Sequence, residues 1–234
     1  RSFHQSRLNL IEMAFSCTAM KTSHKILWVA VFAAMFALVE SAVVVYLRSL
    51  YYPEGFSLPL KIISRHHFWV ELAREFATII MLASVAILAG SNKWQRFACF
   101  MIAFGVWDIF YYIWLKVMLN WPGSVFDWDV LFLLPVPWIG PVIAPVLISI
   151  LMFISGVLII RDDSAQPPFR PNTWSWILSL SATAVILFSF MSDVEATLNL
   201  RIPKQYSYEL LITGLALYVA ALVMTFRRTG SSGH

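Results

Sequence analysis

Six long apolar runs, separated by shorter polar or aromatic stretches, divide this chain, and each run has 18 to 23 residues. An α-helix rises about 1.5 Å per residue, so a hydrocarbon core of about 30 Å takes roughly 20 residues to cross. The pattern therefore predicts an all-α polytopic membrane protein with six transmembrane helices. The predicted spans are 26–47, 68–90, 97–119, 142–160, 174–191 and 209–226.

The apolar stretch before the fourth span is irregular. Phe126–Leu134 carries two acids, and prolines follow at 135, 137, 141 and 145. Pro135 and Pro137 cannot both lie inside one regular helix, because each removes a backbone donor and clashes with the preceding turn. We expect a Pro-broken or re-entrant segment here: a short helix or a re-entrant piece at the surface, then a break, ahead of the span. Irregular backbone at membrane depth is tolerated only against protein or a wet cavity, so 127–141 is expected to cover one.

Composition supports a membrane location. Hydrophobic residues make up 59% of the chain and charged residues 13%, against about 45–50% and about 25% in soluble domains. The chain divides into a cytoplasmic N-terminal arm (1–25), a single six-helix membrane domain (26–228) and an apparent tag remnant (229–234). The net charge of +4 falls mostly on loops, so it bears on orientation and gives no reason to expect a nucleic-acid partner.

The distribution of basic residues predicts the orientation. Six spans place both termini on one side, and the arm, loops and tail of that side carry ten Lys and Arg against five in the opposite loops. By the positive-inside rule both termini are cytoplasmic, and we expect the plasma (inner) membrane. Cys17 and Cys99 then lie on the cytoplasmic side, where a disulfide is not expected.

Ionisable residues inside the spans identify the candidate site. The second span opens with five polar residues on one helical face, and each neighbouring span carries one buried acid. Ionisable groups at membrane depth are costly and mark a functional site by default. In the predicted orientation all these acids fall in the outer half of the bilayer. The residues are His67, Glu71, Arg74, Glu75 and Thr78 in the second span, with Glu40 in the first and Asp108 in the third.

These residues predict a cation site. Four carboxylates outnumber Arg74 and Lys116, so protons, bound cations or water must compensate the excess charge. We expect Glu40, His67, Glu71 and Asp108 to bind one or two divalent metal ions (Mn, Fe or Zn), which suit a mixed nitrogen and oxygen shell. By residue type the set resembles the carboxylate-rich dimetal sites of four-helix bundles, although it has one His-x-x-x-Glu where they have two Glu-x-x-His pairs. We assign catalytic roles to Glu75, Tyr111 and Tyr112, and supporting roles to Arg74, His66 and Lys116.

Each assignment has a structural alternative. His66 and His67 are placed where histidines contact lipid headgroups, and Glu71 with Arg74 is spaced for an ion pair within one helix. The two tyrosines fit an aromatic packing stripe. Asp127 and Asp129 are expected to be solvated loop acids, unless the broken segment is a lid over a cation site.

Three functions fit this pattern. The first is a metal-dependent enzyme whose site opens to the outer face and performs oxidative or hydrolytic chemistry on a lipid-like or small substrate. The second is a cation- or proton-coupled transporter or channel that uses the same acids. The third is an accessory subunit of a membrane complex. A homo-oligomer is compatible with all three, and the chain has no P-loop, dinucleotide fingerprint or nucleophile elbow.

Overall fold

The computed structural model describes residues 22–55, 64–133, 136–163, 171–192 and 205–231. Within these ranges, six helices are long and apolar enough to cross a membrane, which confirms the predicted all-α membrane fold. The elements are α1 (Thr22–Tyr51), α2 (Arg65–Ala89), α3 (Lys93–Leu119), β1 (Trp128–Phe132), β2 (Trp138–Pro141), α4 (Ile143–Asp163), α5 (Thr173–Met191) and α6 (Tyr208–Ser231).

The helices begin and end close to the predicted positions, and most extend beyond them. α1 starts four residues before the predicted span and ends four residues after it. α2 begins after Ser64, whose Oγ accepts the backbone N–H of His67 at 3.3 Å. α6 continues to Ser231, through the first part of the predicted tag remnant. Most of the predicted N-terminal arm lies outside the described residues.

α3 is the central helix, and it packs against α1, α2 and α4. Two glycines let α3 and α4 approach closely. A Cβ on Gly105 would lie 2.5 Å from the carbonyl oxygen of Ser149, and a Cβ on Gly156 would lie 2.7 Å from that of Ala98. Small residues commonly permit such contacts between membrane helices. The close approach positions Ser149 beside Asp108, one turn along α3 from Gly105.

The described part of the Pro-broken segment forms two paired strands, a β-hairpin, so the short-helix alternative is wrong. β1 pairs with β2 in an antiparallel register, with Asp129 opposite Gly140 and a bulge between Val130 and Phe132. Extended backbone accommodates this sequence because the first strand is rich in aromatic and β-branched residues, while Pro137 directly precedes β2 and Pro141 is the last residue of β2. The break itself is confirmed, and α4 begins directly after β2.

α5 and α6 form an antiparallel pair that meets the rest of the bundle through few contacts. β2 joins this pair to the hairpin, since the ring of Trp138 stacks on Phe190 of α5 at a centroid distance of 6.4 Å. Gly140 fits tightly here, because an added Cβ would lie 3.1 Å from the Phe190 ring. The α5–α6 pair therefore stands slightly apart and leaves a gap beside α3 and α4.

Candidate functional site

The polar faces of α1, α2 and α3 meet β1 around one cavity of about 180 Å³. It lies where α1 ends, α2 begins and α3 ends, which we call the hairpin end of the bundle. Four of the predicted site acids line it together, so the structure brings them to one place. The charged and tyrosine residues of the lining are Glu40, Arg48, Tyr51, Tyr52, Glu71, Arg74, Glu75, Asp108, Tyr111, Tyr112 and Asp129.

Arg74 joins two of these acids. Its Nη1 pairs with Glu40 Oε2, its Nη2 lies 2.8 Å from Glu71 Oε2, and its Nε donates to the same oxygen at 2.9 Å. Thr78 completes the group by donating its hydroxyl to Glu40 Oε1 at 2.8 Å. The spacing Glu71–Arg74–Thr78 places all three on the face of α2 that meets α1. The structural alternative of an ion pair within α2 is therefore present, and it extends to Glu40.

Glu75 holds the end of β1. The backbone N–H of Leu133 donates to both carboxylate oxygens, at 3.1 Å to Oε1 and 2.9 Å to Oε2. Glu75 is 8% exposed, so this contact ties a buried carboxylate to the hairpin. The segment 127–141, which was expected to cover a cavity, lies against the polar cavity, because the lining includes every residue from Asp129 to Leu133.

Asp108 is the most isolated acid of the cavity. Ser149 of α4 donates its hydroxyl to Asp108 Oδ2 at 2.8 Å. In the ranges that the structure describes, no basic side chain lies within ion-pair distance of Asp108. A single neutral donor compensates a buried carboxylate only weakly, so this group needs a proton or a counter-charge.

A second ion pair, not predicted from the sequence, closes the hairpin end. Arg48 of α1 donates from Nη2 to Oδ1 of Asp129 at 3.0 Å, and its guanidinium carbon lies 3.7 Å from the centre of the Trp121 ring. Asp129 is 4% exposed, so the expectation of a solvated loop acid is wrong. Burial raises the pKa of Asp129 to about 6, although Arg48 and the Tyr112 hydroxyl act to lower it.

Three predicted residues lie outside the cavity lining. His67 Nδ1 shares a short hydrogen bond with the hydroxyl of Tyr51, which does line the cavity. His66 is exposed beside His67, their rings 5.7 Å apart. Lys116 is also exposed and donates to the carbonyl oxygens of Asn120 and Pro122, at the C-terminus of α3. His67 therefore contacts the site through Tyr51, and Lys116 does not neutralise the acids.

The tyrosines and Trp107 form the aromatic wall of the cavity. Tyr111 and Tyr112 of α3 meet edge to face, with ring centroids 5.0 Å apart. Tyr112 is buried. Trp107 is 7% exposed, and its indole N–H has no hydrogen-bond partner among the residues that the structure describes. Both the packing role and a role towards a ligand fit this wall, since packed aromatic rings also line binding sites.

The side chains do not form a preassembled metal shell in the described part of the chain. No group of three or more His, Cys, Asp or Glu residues there is arranged to hold a metal ion. Glu40 and Glu71 are both engaged by Arg74, and His67 lies outside the lining. The expected ligands were Glu40, His67, Glu71 and Asp108, and a metal would have to displace Arg74 to use Glu40 and Glu71 together.

Arg48 and Asp129 are charged residues of the cavity lining that the sequence pattern did not assign to the site. Arg48 lies two turns beyond Glu40 on the same face, a signal that was available once α1 is extended past residue 47. Asp129 carries no such signal, because its burial depends on the hairpin folding back on α1.

No protein-family model, no curated protein and no solved structure matches this chain. The function is therefore proposed from the geometry of the site alone.

Proposed function

We propose that the polar cavity binds a positively charged group, and that the protein acts there on a lipid-like or small substrate that carries this group. The observation that carries the proposal is the charge of the lining. Five carboxylates face two guanidinium groups, so the cavity has a formal excess of three negative charges if all are ionised. Isolated charge in a membrane protein is costly, and a bound cation reduces that cost.

The aromatic wall supports an organic cation. Four tyrosines and Trp107 line the same cavity as the acids. Aromatic faces attract cations through their quadrupole, and quaternary ammonium groups are bound by cages of such rings. A substituted ammonium group fits a lining of this kind without displacing Arg74 from Glu40 and Glu71.

Asp108 and Glu75 are the groups we assign to proton transfer. Asp108 accepts one hydrogen bond from Ser149, and Glu75 contacts the hairpin through the Leu133 N–H. A carboxyl such as Asp108, whose bonded partner is a neutral hydroxyl, can take up or release a proton without breaking an ion pair. Tyr111 and Tyr112 are adjacent donors. In this proposal the protein is an enzyme of acid–base chemistry, with its substrate held by the charge excess.

The divalent metal expected from the sequence is a second version of the same proposal. The charge excess favours Mn, Fe or Zn as it favours an ammonium group. The ion pairs of Arg74 with Glu40 and Glu71 weigh against the metal, because they occupy two of the expected ligands. Passage of a cation through the bundle is less well supported. Beyond Thr78, the core between α1, α2 and α3 consists of buried apolar residues such as Ala33, Leu82 and Ile102.

We further propose that the hairpin end faces away from the cytoplasm in the plasma membrane, with both termini inside. The support is the excess of Lys and Arg in the loops and termini at the opposite end. Cysteine accessibility in intact cells tests this, with single cysteines placed at exposed Glu54 and at exposed Lys93. A membrane-impermeant reagent should label the first position and spare the second, and the reverse pattern would invert the topology.

Titration of purified protein in nanodiscs with acetylcholine, Mn²⁺ and Zn²⁺ tests the bound cation. We expect saturable acetylcholine binding that weakens about tenfold or more in Asp108→Asn, which corresponds to roughly 1.4 kcal/mol. Ser84→Ala on the exposed face of α2 is the matched control and should bind like the parent protein. Stoichiometric metal that is lost in Glu40→Ala would establish the metal version instead. Binding of neither cation would overturn the proposal.

A further inference from the structure

A second cavity of about 360 Å³ lies on the other side of Asp108, between α3, α4, α5 and α6. Its lining is almost entirely aromatic and aliphatic, and it occupies the gap left by the α5–α6 pair. Asp108, Leu131 and Phe132 line both cavities. The polar cavity and this apolar cavity are therefore neighbours that share one wall, with the carboxyl of Asp108 at their junction.

The size and lining of the apolar cavity suit a hydrocarbon chain. Pockets that hold small molecules usually measure about 300–1,000 Å³ and are mostly apolar. The few polar side chains of this lining include Ser149, already bonded to Asp108, and Thr183, whose hydroxyl donates to a backbone carbonyl. The walls therefore offer an acyl chain contacts like those of a protein core.

Two indole groups flank the shared wall. Phe132 lies between Trp107, at a centroid distance of 6.4 Å, and Trp138, at 5.6 Å. Each indole nitrogen is buried without a hydrogen-bond partner in the ranges that the structure describes. A buried donor without a partner costs stability, so both N–H groups favour a ligand with acceptor oxygens near the junction.

We infer that the substrate is an amphiphile with three parts: a cationic head in the polar cavity beside Asp108, an acceptor oxygen near Phe132, and a hydrocarbon chain in the apolar cavity. This inference rests on the proposed function, because it uses the same cation site for the head. The inference adds to the proposed function a hydrocarbon chain on the substrate, and it places that chain between α4 and α5. A free membrane lipid whose tail merely fills the gap differs in one respect, since its head would not depend on Asp108.

Photolabelling of the full chain in nanodiscs tests the inference. The probe is the choline ester of a long-chain fatty acid with a diazirine at the chain end, and labelled positions are mapped by mass spectrometry. We expect adducts on residues lining the apolar cavity in α4 and α5, such as Met152 and Leu187. The yield should fall about tenfold in Ile148→Trp, which fills the cavity. Ile150→Trp, on the exposed face of α4, is the matched control and should keep the parent yield.

Two further arms separate the possible outcomes. Asp108→Asn should lower the yield by a similar factor, and acetylcholine should compete with the probe. Equal labelling in the parent protein and Ile148→Trp, or labelling insensitive to Asp108→Asn, would overturn the inference and indicate a bulk-lipid tail. If acetylcholine binds in an Asp108-dependent way while the long-chain probe labels elsewhere, the cation site stands and only the chain site fails. If neither acetylcholine nor a metal ion binds, the proposed function fails first, and if only a metal ion binds, the organic-cation head and this inference fail.

Discussion

Arg48 and Asp129 form a buried ion pair that joins the end of α1 to the first strand of the hairpin, 81 residues further along the chain. Both side chains of the pair are almost fully buried. Glu75 makes the corresponding link from α2 to the end of the same strand. The hairpin is thus attached to two helices by charged groups, and the cavity lies beneath both attachments.

Arg48→Ala should destabilise the protein strongly. Removing one partner of a buried pair leaves the other charge uncompensated, which typically costs about 3–5 kcal/mol. The measurement is unfolding in detergent, with exposed Arg65→Ala as the control for loss of a surface arginine. The double variant Arg48→Ala/Asp129→Ala should lose less stability than the two single variants together. Strict additivity would show that the two side chains do not interact.

Stability should depend on pH through Asp129. Burial raises the pKa of this carboxyl from 3.8 to about 6, so between these values the folded protein binds more protons than the unfolded chain. The free energy of unfolding contributed by this group therefore falls as the pH rises from about 4 to about 6. Asp129→Asn should remove this part of the pH dependence in unfolding measurements at several pH values. An unchanged profile would assign the effect to another group.

Glu75→Ala should loosen the hairpin without unfolding the helices. The Leu133 N–H loses its acceptor, so its hydrogen exchange should become faster by roughly ten- to a hundredfold, in line with a lost hydrogen bond to a charged group at roughly 1.5–3 kcal/mol. Glu75→Gln keeps an acceptor oxygen at the same place and should retain most of the protection. Amide exchange of residues in α3 serves as the internal control. Equal protection of Leu133 in all three proteins would contradict the contact.

Gly105→Ala should disturb the site from a distance. The added methyl would lie 2.5 Å from the Ser149 carbonyl oxygen, so α3 and α4 must separate, and overpacking of this kind costs about 1–3 kcal/mol. Because Ser149 bonds Asp108, acetylcholine affinity should fall together with stability. Gly123→Ala, where the new methyl meets nothing closer than 3.4 Å, is the control. Parent-like stability and affinity in Gly105→Ala would show that the helices can adjust.

The acids of the site were accessible from the sequence because membrane depth restricts charge so strongly. Glu40, Glu71, Glu75 and Asp108 stand out as ionisable groups within apolar runs, and the short or moderate loops between the first three helices predict that these acids meet. Their partners were less accessible. Arg74 could be paired with Glu71 by spacing, but its contact with Glu40 depends on how α1 and α2 pack. His67 and Lys116 fit the pattern equally well, and the structure places them outside the lining.

The amino-acid sequence by itself determined that this is a six-helix membrane protein with an acid-rich face near one end, because apolar length and the cost of buried charge act locally along the chain. Only the tertiary structure decided how those charges are shared. It folded a proline-rich segment into a hairpin, buried Asp129 against Arg48, and placed Asp108 between a polar and an apolar cavity. These features arise from contacts between residues distant in sequence, and periodicity along one helix carries no record of them.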